Sequence, residues 1–236
     1  VYKRALQRLC DALEFGGSAY KAMEASAEEF RAVKVDKSQR KPTIGIVGEI
    51  YVRSHAFCNE FIVDKIEALG GTVWLAPLME WIYYTNFTRM RHSKENLRLA
   101  RLARNFIENK VQILMEHRLA KPFHGIIEYL EETNTRGLLD YANPYVDESF
   151  EGETVMSIGK TIDYYHRRLS GVVNTMPFGC MPGTIVTAIL KKVREDYDNI
   201  PIISLAYDGT QHAGTDTRLE AFMHQAKQYM TMKKGR

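Results

Sequence analysis

Residues 42–77 read PTIGIVGEIYVRSHAFCNEFIVDKIEALGGTVWLAP, and the order of their textures sets the fold class. Thr43-Ile44-Gly45-Ile46-Val47-Gly48 is a short apolar run rich in β-branched residues, as a buried strand requires. The segment Ala56 to Leu69 has amphipathic helical spacing, Gly70-Gly71 stops it, and Thr72-Val73-Trp74-Leu75-Ala76-Pro77 is a second apolar strand. Strand, helix, strand at this spacing is a βαβ unit, so the two strands should run parallel. The same rhythm returns later. Val172–Met176 reads as a strand, Thr184–Tyr197 as a helix, Ile200–Ala206 as a strand and Thr217–Met230 as a closing helix. The expected fold is therefore α/β: an open, mostly parallel four-stranded sheet in the order 2-1-3-4, with helices on both faces.

Between the second and third strands lies a helical insertion. Ser93 to Leu119 reads as one basic amphipathic helix with Leu97, Ala100, Phe106, Ile107 and Leu114 at its apolar positions, and further helices are expected over Phe123–Thr133 and Glu153–Leu169. Ahead of the sheet, residues 1–33 look helical. Tyr2, Leu6, Leu9, Cys10 and Leu13 recur at helical spacing, which turns Cys10 toward a core. Gly16-Gly17 interrupts them, and Ser26 with Glu29 resembles a capping box opening a second helix. The polar stretch 34–41 (KVDKSQRK) reads as a linker, so residues 1–40 form an N-terminal helical extension and 41–236 the α/β domain.

Composition narrows the function. The 236 residues are 45% hydrophobic, enough for a sizeable core, and 32 basic against 29 acidic residues leave a formal charge of only +3. Such a balance argues against a nucleic-acid partner, and the short basic run Lys233-Lys234 with Arg236 reads as a solvated tail. Three scattered cysteines, Cys10, Cys58 and Cys180, suit a reducing compartment rather than a disulfide framework. With no signal peptide and no membrane-length apolar run, a cytoplasmic location is expected. The chain starts at Val1 without an initiator Met, which fits excision from a longer polypeptide.

Ligands of an open parallel sheet bind outside the carboxyl ends of its strands, where strand order reverses. In the order 2-1-3-4 that point lies between the first and third strands. The loops meeting there are Gly48–His55 and Pro177-Phe178-Gly179-Cys180-Met181-Pro182-Gly183, joined by Tyr207-Asp208-Gly209-Thr210 after the fourth strand. Cys180 sits between a strand and a helix start, where outward N–H groups and the helix dipole favour a thiolate, a nucleophile and metal ligand. A small side chain filling a tight turn explains it equally well. Cys58 falls in the first turn of the helix after strand one, at the same end, where packing against Phe61 and Ile62 also accounts for it. Glu49 could orient a ligand or cap a helix, and His55 is a base or a surface residue. Arg53 lines the same loop. Asp208-Gly209 is a good turn pair in any event, Thr217 with Glu220 forms a capping box, and Arg218 opposes the dipole of the last helix. The chain contains no CxxC, HExxH, phosphate-loop or GxSxG motif, and Gly45-Ile46-Val47-Gly48-Glu49 lacks the third glycine of a dinucleotide fingerprint.

Taken in order, several segments resemble a known family: Ile46–Val52, Asn59-Glu60-Phe61-Ile62, Leu69-Gly70-Gly71, Glu80-Trp81, Asn143-Pro144-Tyr145-Val146, Pro177–Gly183, Tyr207-Asp208-Gly209 and Thr217–Phe222. Across about Pro42 to Met230 they are similar to the dehydratase-like part of the large activases of CoA-substrate-specific enzymes, itself similar to 2-hydroxyacyl-CoA dehydratase subunits. The resemblance implies an iron–sulfur protein in which cysteines from two halves of a subunit hold one [4Fe–4S] cluster, reduced by an ATP-hydrolysing activator for radical dehydration. Cys180 occupies the place of the family's last ligand, with Glu49, Arg53, His55, Cys58, Asp208 and Arg218 as candidates for the neighbouring crevice. The family's other ligands and its ATPase module belong to segments this sequence lacks. The expectation is thus a distal domain supplying one cluster ligand for low-potential electron transfer, inactive alone, with the rest of its parent and an acyl-CoA enzyme as partners. Two other classes stand beside it: a non-catalytic interaction or ligand-binding domain, docking through the basic helix Arg98–Arg118 or at the crevice, and a thiol enzyme using Cys180 directly.

Overall fold

The computed structural model describes residues 1–36, 40–127, 130–209 and 214–232. Four strands, β1 (Thr43–Gly48), β2 (Thr72–Leu75), β3 (Gly171–Pro177) and β4 (Ile202–Tyr207), form an open sheet in the order β2-β1-β3-β4, all neighbours parallel. Ile44 pairs with Gly171 and Gly48 with Thr175, so β1 and β3 reach the same edge together. This is the expected α/β architecture and strand order.

The chain divides into two compact units, 40–81 with 133–236, and 1–39 with 82–132. The first holds the sheet. Its strands alternate faces as the pleat demands. Ile44, Ile46 and Val173 pack with Ile62 and Ile66 of helix α4 (Ile62–Ala68) and with Leu219, Phe222 and Met223 of α10 (Thr215–Met232). On the other face Val47 and Val172 meet Tyr164 of α8 (Gly152–His166), and Asn174 reaches Thr187 of α9 (Met181–Asp196). Helix α8 is the best buried of these, solvent-shielded from Thr154 through Tyr164, and α7 (Thr135–Ala142) lies against it. Gly45 permits its closest approach. A Cβ built there would lie 2.2 Å from the Tyr164 ring, whose hydroxyl donates to the Trp74 carbonyl at 3.1 Å.

The second unit contains α1 (Tyr2–Glu14), α2 (Ala19–Arg31), the greater part of α5 (Leu78–Glu95) and α6 (Leu99–Ala120). Arg4 and Arg8 on α1 both engage Glu29 on α2, holding its carboxyl below the usual range. The α5–α6 hairpin has a polar seam. Tyr83 donates to Glu116 at 2.5 Å, Asn86 to Gln112 at 2.6 Å and to Asn109 at 3.2 Å, and Asn105 to Ser93 at 3.4 Å.

Local chemistry moved several element boundaries. The expected helix Ala56–Leu69 is replaced by a short α3 (Ile50–Ser54), a turn, and α4. The buried Asn59 amide causes this: it donates to the Val52 and Arg53 carbonyls and accepts from the Ile62 N–H, while Glu60 and Phe61 take left-handed φ values of 52° and 57°. Cys58 therefore lies in the turn, not on a helix. The helix expected over Ser93–Leu119 breaks at Asn96–Arg98, where Leu97 has φ 52°, and its apolar positions Leu97, Phe106, Ile107 and Leu114 are exposed because the inward seam is polar. Among the described residues of Phe123–Thr133 there is no α-helix; a 3-10 turn, Lys121–Phe123, contains Pro122, and Gly125 at φ 78° lies beyond it. Ser18, not Ser26, caps α2, and Ser26 lies inside that helix with its hydroxyl on the Ala22 carbonyl. Thr217 likewise falls within α10, and Cys10 is exposed on α1. Parts of four readings fall outside the described residues: 37–39 of the linker, 128–129 of the helix expected over Phe123–Thr133, Thr210, and the Lys233–Arg236 tail. Among the described residues no helix is long and apolar enough to cross a membrane.

The Gly45–Tyr164 contact leaves no room for a methyl group. Gly45→Ala should lower unfolding stability by about 1–3 kcal/mol, as overpacked cores do, read as a lower urea midpoint with unchanged slope. A variant as stable as the parent would show that α8 is free to move off the sheet.

Candidate active site: the crevice at the β1–β3 edge

The crevice begins where β1 ends. Gly48 has φ 113°, and a Cβ there would sit 2.0 Å from the Thr175 carbonyl oxygen and 2.8 Å from Asn174 Oδ1, so only glycine lets the two strand ends meet. The next residue, Glu49, donates its N–H to Thr175 O at 2.9 Å and turns its carboxylate back over α3, accepting from Tyr51 N–H at 3.1 Å and Val52 N–H at 2.7 Å. Glu153, from the first turn of α8, accepts from the Ile50 N–H at 3.1 Å. Three successive amides at the start of α3 are thus taken by two carboxylates. Burial pushes the Glu153 carboxyl up, the Ile50 N–H pulls it down, Glu49 adds to the rise and Arg53 opposes it, leaving it above its ordinary value.

Two small cavities open around this pair, sharing Gly48, Glu153 and Ser157. One is bounded further by Ile50, Arg53, Glu80 and Trp81, and the other by Glu49, Asn174, Cys180 and Gly183. Each is about 10 Å³, room for about one water. Buried polar atoms face this region without a protein partner. Arg53 is 6% exposed and its Nε makes no hydrogen bond among the described residues, and the same holds for Asn174 Oδ1, although the Asn174 amide donates to Ser204 Oγ at 3.2 Å. Cys180 is partly buried at the N-terminus of α9, its N–H on the Pro177 carbonyl and its own carbonyl accepting from Thr184. Phe178 and Met181 on either side of it are exposed.

Of the candidates named from sequence, Glu49, Arg53 and Cys180 come together here. The other four lie elsewhere. His55 is exposed and stacks on Tyr51, with ring centroids 5.1 Å apart. Cys58 is partly exposed beside Tyr51, whose phenol it pushes up, and donates its N–H to His55 Nδ1 at 3.4 Å. Asp208 is exposed in the turn after β4. Arg218 donates to the Ser204 carbonyl at 2.9 Å, tying α10 to the edge strand, which gives it a structural role.

Sequence reasoning missed Glu153, Ser157 and Asn174. Asn174 carried a signal, an amide inside the apolar run Val172–Met176. It also missed an ion cluster behind the crevice. Lys160, wholly buried on α8, contacts Glu80 at 3.0 Å and Asp163 at 3.1 Å, with its ammonium 5.1 Å from the Tyr164 ring centre. Asp163 also accepts from Thr133 at 2.6 Å and from Arg167 at 3.0 Å. Burial would push the Asp163 carboxyl up, but Lys160, Thr133 and Arg167 outweigh it and hold the group below its usual value.

Comparison with protein-family models, curated proteins and solved structures finds no match for this chain. Its chemistry therefore rests on the geometry. Among the described residues no group of three or more His, Cys, Asp or Glu side chains could hold a metal ion. A [4Fe–4S] cluster takes four thiolates, so the donor set of this chain does not fit a complete cluster; Cys180 could contribute at most one ligand.

Removing one partner of a buried ion cluster leaves uncompensated charge. Lys160→Ala should cost about 3–5 kcal/mol of unfolding stability, and a loss below 1 kcal/mol would mean the cluster is hydrated. The two perturbed carboxyls predict opposite pH responses. Asp163, held low, contributes stability above the unfolded carboxylate pKa that is lost as pH falls through its folded pKa. Glu153, held high, binds its proton more tightly when folded, so stability declines as pH rises from its unfolded toward its folded pKa. Glu153→Gln should therefore gain melting temperature relative to the parent at neutral pH but not in acid. A shift equal at both pH values would remove Glu153 as the cause.

Proposed function

We propose that this chain is the distal α/β part of an iron–sulfur protein related to 2-hydroxyacyl-CoA dehydratases and to the ATP-dependent activases of CoA-substrate-specific enzymes. Cys180 supplies one thiolate to a [4Fe–4S] cluster whose other ligands come from outside this chain. The observation that carries this reading is the placement of Cys180: partly open, at the N-terminus of a 16-residue helix, on the crevice where β1 and β3 end side by side. When bound, the cluster would supply low-potential electron transfer. The chain's own part is to hold that sulfur, to keep Glu49 and Glu153 occupied by the amides of α3, and to leave room for about one water beside them.

That small volume favours a second reading: a non-catalytic interaction or ligand-binding domain that keeps the fold without a cluster. Neither cavity admits a substrate larger than a water or two.

The two readings separate on iron. The full-length polypeptide containing this segment, prepared anaerobically, should carry acid-labile sulfide and a cluster absorption band. Cys180→Ala should lose most of both, while Cys58→Ala should keep them. Iron content unchanged by Cys180→Ala would rule out the ligand role, and a parent without iron would leave the interaction domain.

A further inference from the structure

Away from the sheet, α5 and α6 line an open cleft of about 450 Å³ between the end of one helix and the start of the other. Its volume is that of a small-molecule site rather than a water pocket. Arg89 and His92 line it from α5, and Arg98, Arg101 and Arg104 from the connecting turn and α6. Its one carboxylate, Glu108, is already held by Arg104 at 2.7 Å. Arg89, Arg98 and Arg101 make no ion pair among the described residues.

The backbone adds to the excess of donors. Three of the last four carbonyls of α5 accept bonds within the turn: His92 O from Asn96 N–H, Lys94 O from Leu97 N–H and Ser93 O from Arg98 N–H. At the start of the 22-residue α6, by contrast, no side chain caps the helix, and the N–H groups of Ala100 and Arg101 donate to nothing among the described residues. Most of the carbonyls facing the arginines are thus already bonded, while two donors at the positive end of a long helix stay open.

We infer that this cleft is a binding site for a compact polyphosphate, the di- or triphosphate group of a small molecule, gripped by Arg89, Arg98 and Arg101 with the N-terminus of α6. Guanidinium forks and free helix-terminal amides both suit phosphate oxygens in charge and geometry. The cleft favours a compact ligand over a nucleic-acid strand, because a strand groove pairs its charge with aromatic platforms for the bases. None of the nine lining residues is Phe, Tyr or Trp. The site lies wholly within the helical unit and does not depend on the role given to Cys180.

Calorimetric titration of the full chain at low ionic strength tests the site, with sodium triphosphate and inorganic phosphate as probes. Triphosphate should bind more tightly than phosphate and weaken steeply with added salt. Arg98→Gln/Arg101→Gln should lose about tenfold or more in affinity, as the loss of charged hydrogen bonds predicts. Arg89→Gln, on the opposing helix, should also weaken binding, and Arg136→Gln, in the other unit, should not. All four arginines are exposed, and far-UV circular dichroism checks that each variant is folded. Equal triphosphate affinity in the parent and the double variant overturns the site, as does no binding at all. An oligothymidylate that binds tightly and is not displaced by triphosphate would also overturn it, in favour of a strand-binding groove.

Discussion

Helix α8 lies against β1 with nothing between them at Gly45 but the face of the Tyr164 ring. That contact fixes how close the helix comes to the sheet, and both polar features of the α/β unit hang from it. The N-terminal turn of α8 brings Glu153 to the amides at the start of α3. Two turns later the same helix places Lys160 and Asp163 into the ion cluster with Glu80, Thr133 and Arg167. A side chain at Gly45 would push one end or the other out of reach, because a helix shielded on nearly every side cannot shift without opening voids.

The crevice is governed by charge as much as by shape. Glu49 and Glu153 converge where like charges should repel, and the arrangement holds because three backbone amides and the buried Arg53 guanidinium face them. Cys180 sits on the rim of this anionic pocket at the positive end of α9. The thiol thus lies between the positive end of a helix and two carboxylates.

The sheet was legible because its punctuation is local. β-Branched runs bounded by Gly48, Gly70-Gly71 and Pro177 mark the strands whatever the tertiary surroundings, and parallel order follows from the alternation with helices. Glu49, Arg53 and Cys180 were legible for the same reason, since each lies in the short stretch of chain that follows a strand. Glu153 was not, because it reaches Ile50 across 103 positions and no short-range pattern encodes that pairing. The helical insertion misled for a physical reason. An amphipathic pattern predicts which face of a helix is buried only if burial is apolar, and α6 turns amides and a carboxylate toward α5. The turn at Asn59 was hidden differently, in a single side chain that gathers two carbonyls and an N–H.

The polar seam of the α5–α6 hairpin has its own corollary for how that hairpin finds its alignment. Packed methyl groups tolerate sliding, since a slipped helix still buries hydrocarbon. Amides and a phenol facing named partners do not, because moving α6 by one turn would strand Asn86, Asn109, Gln112 and Glu116 opposite groups that cannot answer them. Alignment is therefore written in complementary donors and acceptors, so this pair of helices is selective in its match even though the match contributes little hydrophobic adhesion.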